Sequence, residues 1–108
     1  MKVYEFKDWL LENNICTTRK QVSDCVSRVK MVEKKFAEAF GTSFDLDKEY
    51  KKDGLAGVRK ALSSNGKKYM NDYIPKGAST SFPIGKPSMS SLNSAVLKYI
   101  RFKDANKK

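Results

Sequence analysis

At 108 residues, 40% of them hydrophobic and including Trp9, five tyrosines and six phenylalanines, the chain suits one small domain with a real core, which excludes a disordered segment. Its formal charge of +10 is lopsided: residues 1–54 hold eleven Lys/Arg against ten Asp/Glu, whereas 55–108 hold eleven against Asp72 and Asp104 alone. Like charges repel in a compact state, so folding does not need this surplus, and a surface that meets polyanions would use it.

Four helical patterns are predicted in chain order. The first runs near Val3–Asn13, with Phe6, Trp9, Leu10 and Asn13 on one face, and Asn13–Asn14 ends it. The second is capped by Thr17 or Thr18 and carries Val22, Cys25, Val26, Val29, Val32, Phe36 and Phe40 at helical spacing, up to a stop at Gly41. The third is broken: Phe44, Leu46 and Tyr50 form one piece, and Asp53 caps another bearing Leu55, Val58 and Leu62, with Gly54 and Gly57 weakening it.

The fourth starts at Ser88 or Ser90 and carries Leu92, Ala95, Val96, Leu97, Tyr99, Ile100 and Phe102 over more than half its circumference, as expected of a helix packed between others. Before it, Ser64–Pro87 holds all three prolines and three of the six glycines. Either Tyr69–Ile74 forms a short element there, or the segment is a mobile functional loop. Its charges are Lys67, Lys68, Lys76 and Lys86 against Asp72, a sign that suits phosphates and equally a solvated connector. One helical domain is expected over 1–103, followed by a basic tail, 104–108. The tail alone does not explain the charge, because without Lys107 and Lys108 the second half still carries +7.

Much chemistry is ruled out. The chain has no histidine, the commonest general base and metal ligand. Cys16, just before the second helix, and Cys25, about two turns inside it, would lie roughly 10 Å apart, beyond the roughly 7 Å limit for a disulfide, so both are read as free thiols. The stretches Gly66-Lys67-Lys68 and Gly85-Lys86-Pro87 lack the upstream glycine of a phosphate loop, and Asp45–Glu49 fails as a calcium loop at Tyr50 and Ala56. No apolar run approaches the roughly 18 residues of a membrane span, and Met1–Lys2 opens a charged helix rather than a signal peptide. A cytoplasmic, non-enzymatic protein without cofactor or metal is expected.

Binding residues are easier to name. On the fourth helix Ser90, Ser94, Lys98 and Arg101 fall within one narrow polar arc opposite Leu92, Val96 and Tyr99. Two hydroxyls and two cations at fixed positions offer donors to phosphates, although any helix also needs a wet face. The second helix presents Lys20, Ser27, Met31 and Lys34, flanked by Lys30 and Lys35 and diluted by Asp24 and Glu38.

The segment Phe6-Lys7-Asp8-Trp9-Leu10 with its Asn-rich turn, then Cys25-Val26-Ser27-Arg28-Val29-Lys30-Met31-Val32-Glu33-Lys34, resembles the opening of the core-binding domain of tyrosine recombinases. Leu92-Asn93-Ser94-Ala95-Val96-Leu97-Lys98-Tyr99-Ile100-Arg101-Phe102 is similar to that domain's last helix. The resemblance implies an all-α, compact four-helix SAM-like domain that clamps DNA by its backbone. It departs from the family at Cys25, where tyrosine is frequent. It also departs soon after Phe102, where the chain ends and a recombinase would begin its catalytic domain. DNA binding therefore carries over, and strand cleavage does not.

The expected function is thus non-catalytic binding of duplex DNA through phosphates, using Lys30, Lys34, Lys67, Lys68, Lys86, Ser94, Lys98 and Arg101. The alternative is a small inhibitor encoded by a phage or mobile element, whose basic face docks on an acidic or nucleic-acid-binding surface of a host protein or nucleoprotein complex. Exposed Met31, Tyr4 and Leu11 would favour that alternative if they formed one patch. An RNA binder fits less well, because the aromatics sit at core spacing.

Overall fold

The computed structural model describes residues 2–78 and 81–106, and over these the fold is all-α without a strand. The elements are α1 (Val3–Glu12), α2 (Arg19–Phe40), α3 (Leu46–Asp53), α4 (Ala56–Leu62), a 3₁₀ turn (Ser63–Gly66), α5 (Met70–Tyr73) and α6 (Ser88–Ala105). The expectation of four helices is corrected to six. The broken third pattern is two helices, and the stretch expected as a long loop contains α5 within Tyr69–Ile74.

Local chemistry sets these boundaries. Asn13 ends α1, its side-chain amide donating to the Trp9 carbonyl at 2.9 Å. Thr18 caps α2 by accepting the Gln21 N–H at 3.1 Å, while the Gln21 side chain accepts the Thr17 N–H at 2.8 Å, a reciprocal arrangement that satisfies two orphan donors. Gly41 then turns left-handed, at φ +69°, and closes on the Ala37 carbonyl.

Between α3 and α4 the Asp53 carboxylate accepts the N–H groups of Leu55 and Gly57, each at 3.0 Å. These bonds hold Leu55 at φ +66°, an unusual conformation for a branched side chain, so that it points fully into the core. Ser64, Asn65 and Gly66 follow with φ of 53°, 56° and 77°, and this left-handed run reverses the chain.

The core lies where α6 packs against α1, α2, α4 and the 3₁₀ turn. From α2 it takes Val22, Cys25, Val26, Val29, Val32, Phe36 and Ala39, and from α6 Met89, Leu92, Ala95, Val96, Tyr99, Ile100 and Phe102. Phe40 and Leu97, both assigned to core faces from the sequence, are half-buried. Phe6 meets Tyr99 edge-on at 5.0 Å and Phe102 at 5.4 Å, joining α1 to α6. A second cluster gathers Phe40, Phe44, Tyr73 and Phe82 around Phe36.

Residues 81–85, just before α6, are tied to the rest of the fold. Phe82 is buried 4.7 Å from Phe36, and the Gly85 N–H donates to Asn65 O at 2.7 Å. Lys35 Nζ reaches across from α2 to Ser81 O at 2.9 Å. Both cysteines are buried and free, as expected. Helix α6 runs on to Ala105, and Lys107 and Lys108 of the expected tail lie outside the described residues.

Candidate nucleic-acid interface

Helices α2 and α6 meet along their valine and alanine faces, and the residues flanking that seam line a trough. At one end Arg28 of α2 and Ser90, Ser91, Ser94 and Lys98 of α6 surround a notch of about 190 Å³ with Cys25 at its floor. Arg28 and Ser91 also line the middle stretch, together with Met31, Lys35, Ser81 and Ser88. Met31, Lys35 and Ser81 then continue into a third stretch with Ser27, Lys30, Lys34 and Glu38. The shared residues make these three recesses neighbours: the first two lie between α2 and α6, and the third passes onto the outer face of α2 beside Ser81.

Its electrostatics are one-sided. Five cations line it and Glu38 is the single carboxylate among the lining residues. Lys35 is occupied with Ser81, whose hydroxyl in turn donates to Glu38 Oε2 at 3.2 Å. Among the described residues, Arg28, Lys30, Lys34 and Lys98 have no hydrogen-bond or ion-pair partner. Burial pushes the Cys25 thiol up to about 11 against the opposing pull of Lys98, with Cys16 adding to the rise and Arg28 subtracting from it. The thiol at the floor is therefore neutral at physiological pH.

Three other carboxylates are engaged in contacts that hold α3 in place. Asp47 accepts the Tyr99 hydroxyl and pairs with Lys103 at 3.4 Å. Burial opposes the Asp47 charge, and the Tyr99 hydroxyl and Lys103 are among the groups that nonetheless hold its carboxyl below its ordinary value. Glu33 accepts the Leu46 N–H at 3.0 Å, yet burial still raises its carboxyl. The Tyr50 hydroxyl donates to Asp104. These contacts fasten α3 to α2 and α6, and they place carboxylates in structural duty away from the trough.

Of the eight residues named from the sequence, four line these recesses: Ser94 and Lys98 the notch between α2 and α6, and Lys30 and Lys34 the stretch on the outer face of α2. The other four do not. Arg101 lies with its guanidinium 6.0 Å from the Trp9 ring centroid, on the α1 side. Lys67 stretches along Gly85, whose added Cβ would meet Lys67 Cε at 3.0 Å, and Lys86 is exposed just before α6. Lys68 sits 5.7 Å from the Tyr69 ring centroid, which Lys60 approaches at 4.6 Å. Sequence reasoning missed Arg28 and Ser91. Both lie on the edges of their core stripes, and only the approach of α6 to α2 turns those edges into walls.

Among the described residues no group of three or more His, Cys, Asp or Glu is placed to hold a metal, and no helix is long and apolar enough to cross a membrane. In comparisons with known proteins, no family model, curated protein or solved structure matches the chain.

Proposed function

We propose that this chain is a non-catalytic, cytoplasmic DNA-binding domain that holds duplex DNA mainly by its phosphates, with the α2–α6 trough as the seat. The single observation that carries the reading is a run of adjoining recesses, from the α2–α6 seam onto the outer face of α2, lined with serine hydroxyls and with four cations, Arg28, Lys30, Lys34 and Lys98, that have no partner among the described residues. Such a row of donors neutralises a phosphate chain and releases its counterions without reading bases. Lys67, Lys68, Lys86 and Arg101 act as outlying cations that widen the footprint. The likeness of the α1, α2 and α6 segments to recombinase core-binding domains supports the same reading, and so does the burial of Phe6, Phe36 and Phe82, which leaves those rings unable to stack on bases.

Met31 favours a second reading. It is 46% exposed within the trough, and an apolar side chain ringed by cations suits an acidic protein surface as well as a nucleic acid. The chain would then be a small inhibitor from a phage or mobile element that covers such a surface on a host complex.

Fluorescence anisotropy with a labelled random-sequence duplex at low and moderate salt separates the two. The DNA reading expects salt-sensitive binding that Lys30→Gln/Lys34→Gln weakens equally for unrelated sequences, while Met31→Ser changes little. Absence of binding at low salt, with capture of a host protein that Met31→Ser abolishes, selects the inhibitor.

A further inference from the structure

Of the three recesses, the notch is the one lined by cations from both α2 and α6. Here Arg28 from α2 and Lys98 from α6 both line a recess of about 190 Å³. Among the described residues no carboxylate lines the recess. Asp24, one helical turn before Arg28, is not among its walls and makes no ion pair with Arg28. The Ser91 and Ser94 hydroxyls have no partner among the described residues, whereas Ser90 donates to the Pro87 carbonyl at 2.8 Å and so can only accept. Two cations lining one recess without a counterion among the described residues repel each other, and a bound anion would relieve that repulsion.

The donor set suggests which anion. An internal phosphodiester carries one negative charge and two free oxygens, whereas a phosphomonoester carries close to two charges and three free oxygens at neutral pH. A guanidinium fork, an ammonium and two hydroxyls, arriving from two helices, match the larger requirement. The neutral Cys25 thiol at the floor adds no opposing charge.

We propose that this notch binds a single phosphomonoester, the terminal phosphate of a nucleic-acid strand whose internal phosphates run along the trough past Lys30 and Lys34. The assignment rests on the nucleic-acid reading of the trough, and it makes the domain a reader of strand ends as well as a backbone binder.

The test uses duplexes of one sequence with 5′-phosphate, 3′-phosphate or hydroxyl ends, titrated against the full chain. A terminal phosphate on one of the two ends should tighten binding by on the order of tenfold, the gain from one charge-assisted contact. Arg28→Gln/Lys98→Gln, checked for folding by circular dichroism, should erase that ratio. Lys30→Gln/Lys34→Gln should weaken every duplex while keeping it. Inorganic phosphate should compete selectively with the phosphorylated duplex. Equal affinity of the wild type for all ends overturns the notch assignment and leaves the trough reading standing. Failure to bind any duplex at low salt overturns both.

Discussion

Replacing Gly66 with alanine separates two costs that usually come together. Gly66 sits at φ +77°, where a Cβ costs about 1–2 kcal/mol in backbone strain. Its added Cβ would also lie 2.9 Å from Met89 Cε and 3.3 Å from Ile84 Cγ1. Methionine ends can usually swing aside, but Met89 is fully buried, so moving it displaces other core atoms. Overpacking of that kind costs about 1–3 kcal/mol, giving a total loss of roughly 2–5 kcal/mol. Gly41 is the control: its φ is +69°, and nothing lies within 4 Å of its added Cβ. Gly41→Ala should therefore show the backbone cost alone, about 1–2 kcal/mol. Urea unfolding followed by helical circular dichroism reads both values. Equal losses for the two variants would refute the claim that the 3₁₀ turn is wedged against α6.

Val29→Asp or Val96→Asp should abolish the helical spectrum, since each valine is fully buried and an unpaired carboxylate there has no partner; retained helicity would show the core is elsewhere. Cys25 should resist alkylation in the native protein near pH 8 and react once urea unfolds it, and rapid native labelling would contradict its burial. With its thiol raised from 9.0 to about 11, the unfolded chain loses that proton first, so stability should fall as pH rises between those values. Asp47 has the opposite sign. Its lowered carboxyl stabilises the fold above the unfolded value of about 3.9, and that contribution is lost as pH falls through the lower folded value. Asp47→Asn should lower stability at neutral pH by about 1–3 kcal/mol and flatten the acid limb of the pH–stability curve; an unchanged acid limb would count against the Tyr99–Asp47–Lys103 link.

Much of the helical scaffold could be read from the sequence because its signals are local. Thr18, Gly41 and Asp53 each act within four residues, and the α2 core stripe follows one helical period. The second half of the third pattern was harder, because Leu55 adopts a left-handed conformation that only Asp53 and the surrounding core make tolerable. The trough was half legible. Lys30 and Lys34 stand out on the solvent side of α2 and Ser94 and Lys98 on that of α6, so amphipathic patterning finds them. Arg28 and Ser91 lie at the edges of the apolar stripes, and their role depends on how α2 and α6 pack. The sequence reading weighted Arg101 by helical phase alone, whereas its approach to Trp9 depends on where α1 lies. Lys35 looked like another surface cation until Ser81, 46 positions away in the chain, supplied its partner.

The salt dependence of duplex DNA binding tests the central claim most directly. Each phosphate contact removed should lower the slope of log affinity against log salt by about 0.9. If Arg28, Lys30, Lys34 and Lys98 each neutralise one phosphate, replacing all four with glutamine should reduce the slope by about 3–4 units with the helical spectrum intact. A folded fourfold variant that keeps the wild-type slope and affinity would contradict the assignment of the α2–α6 trough as the DNA-binding surface.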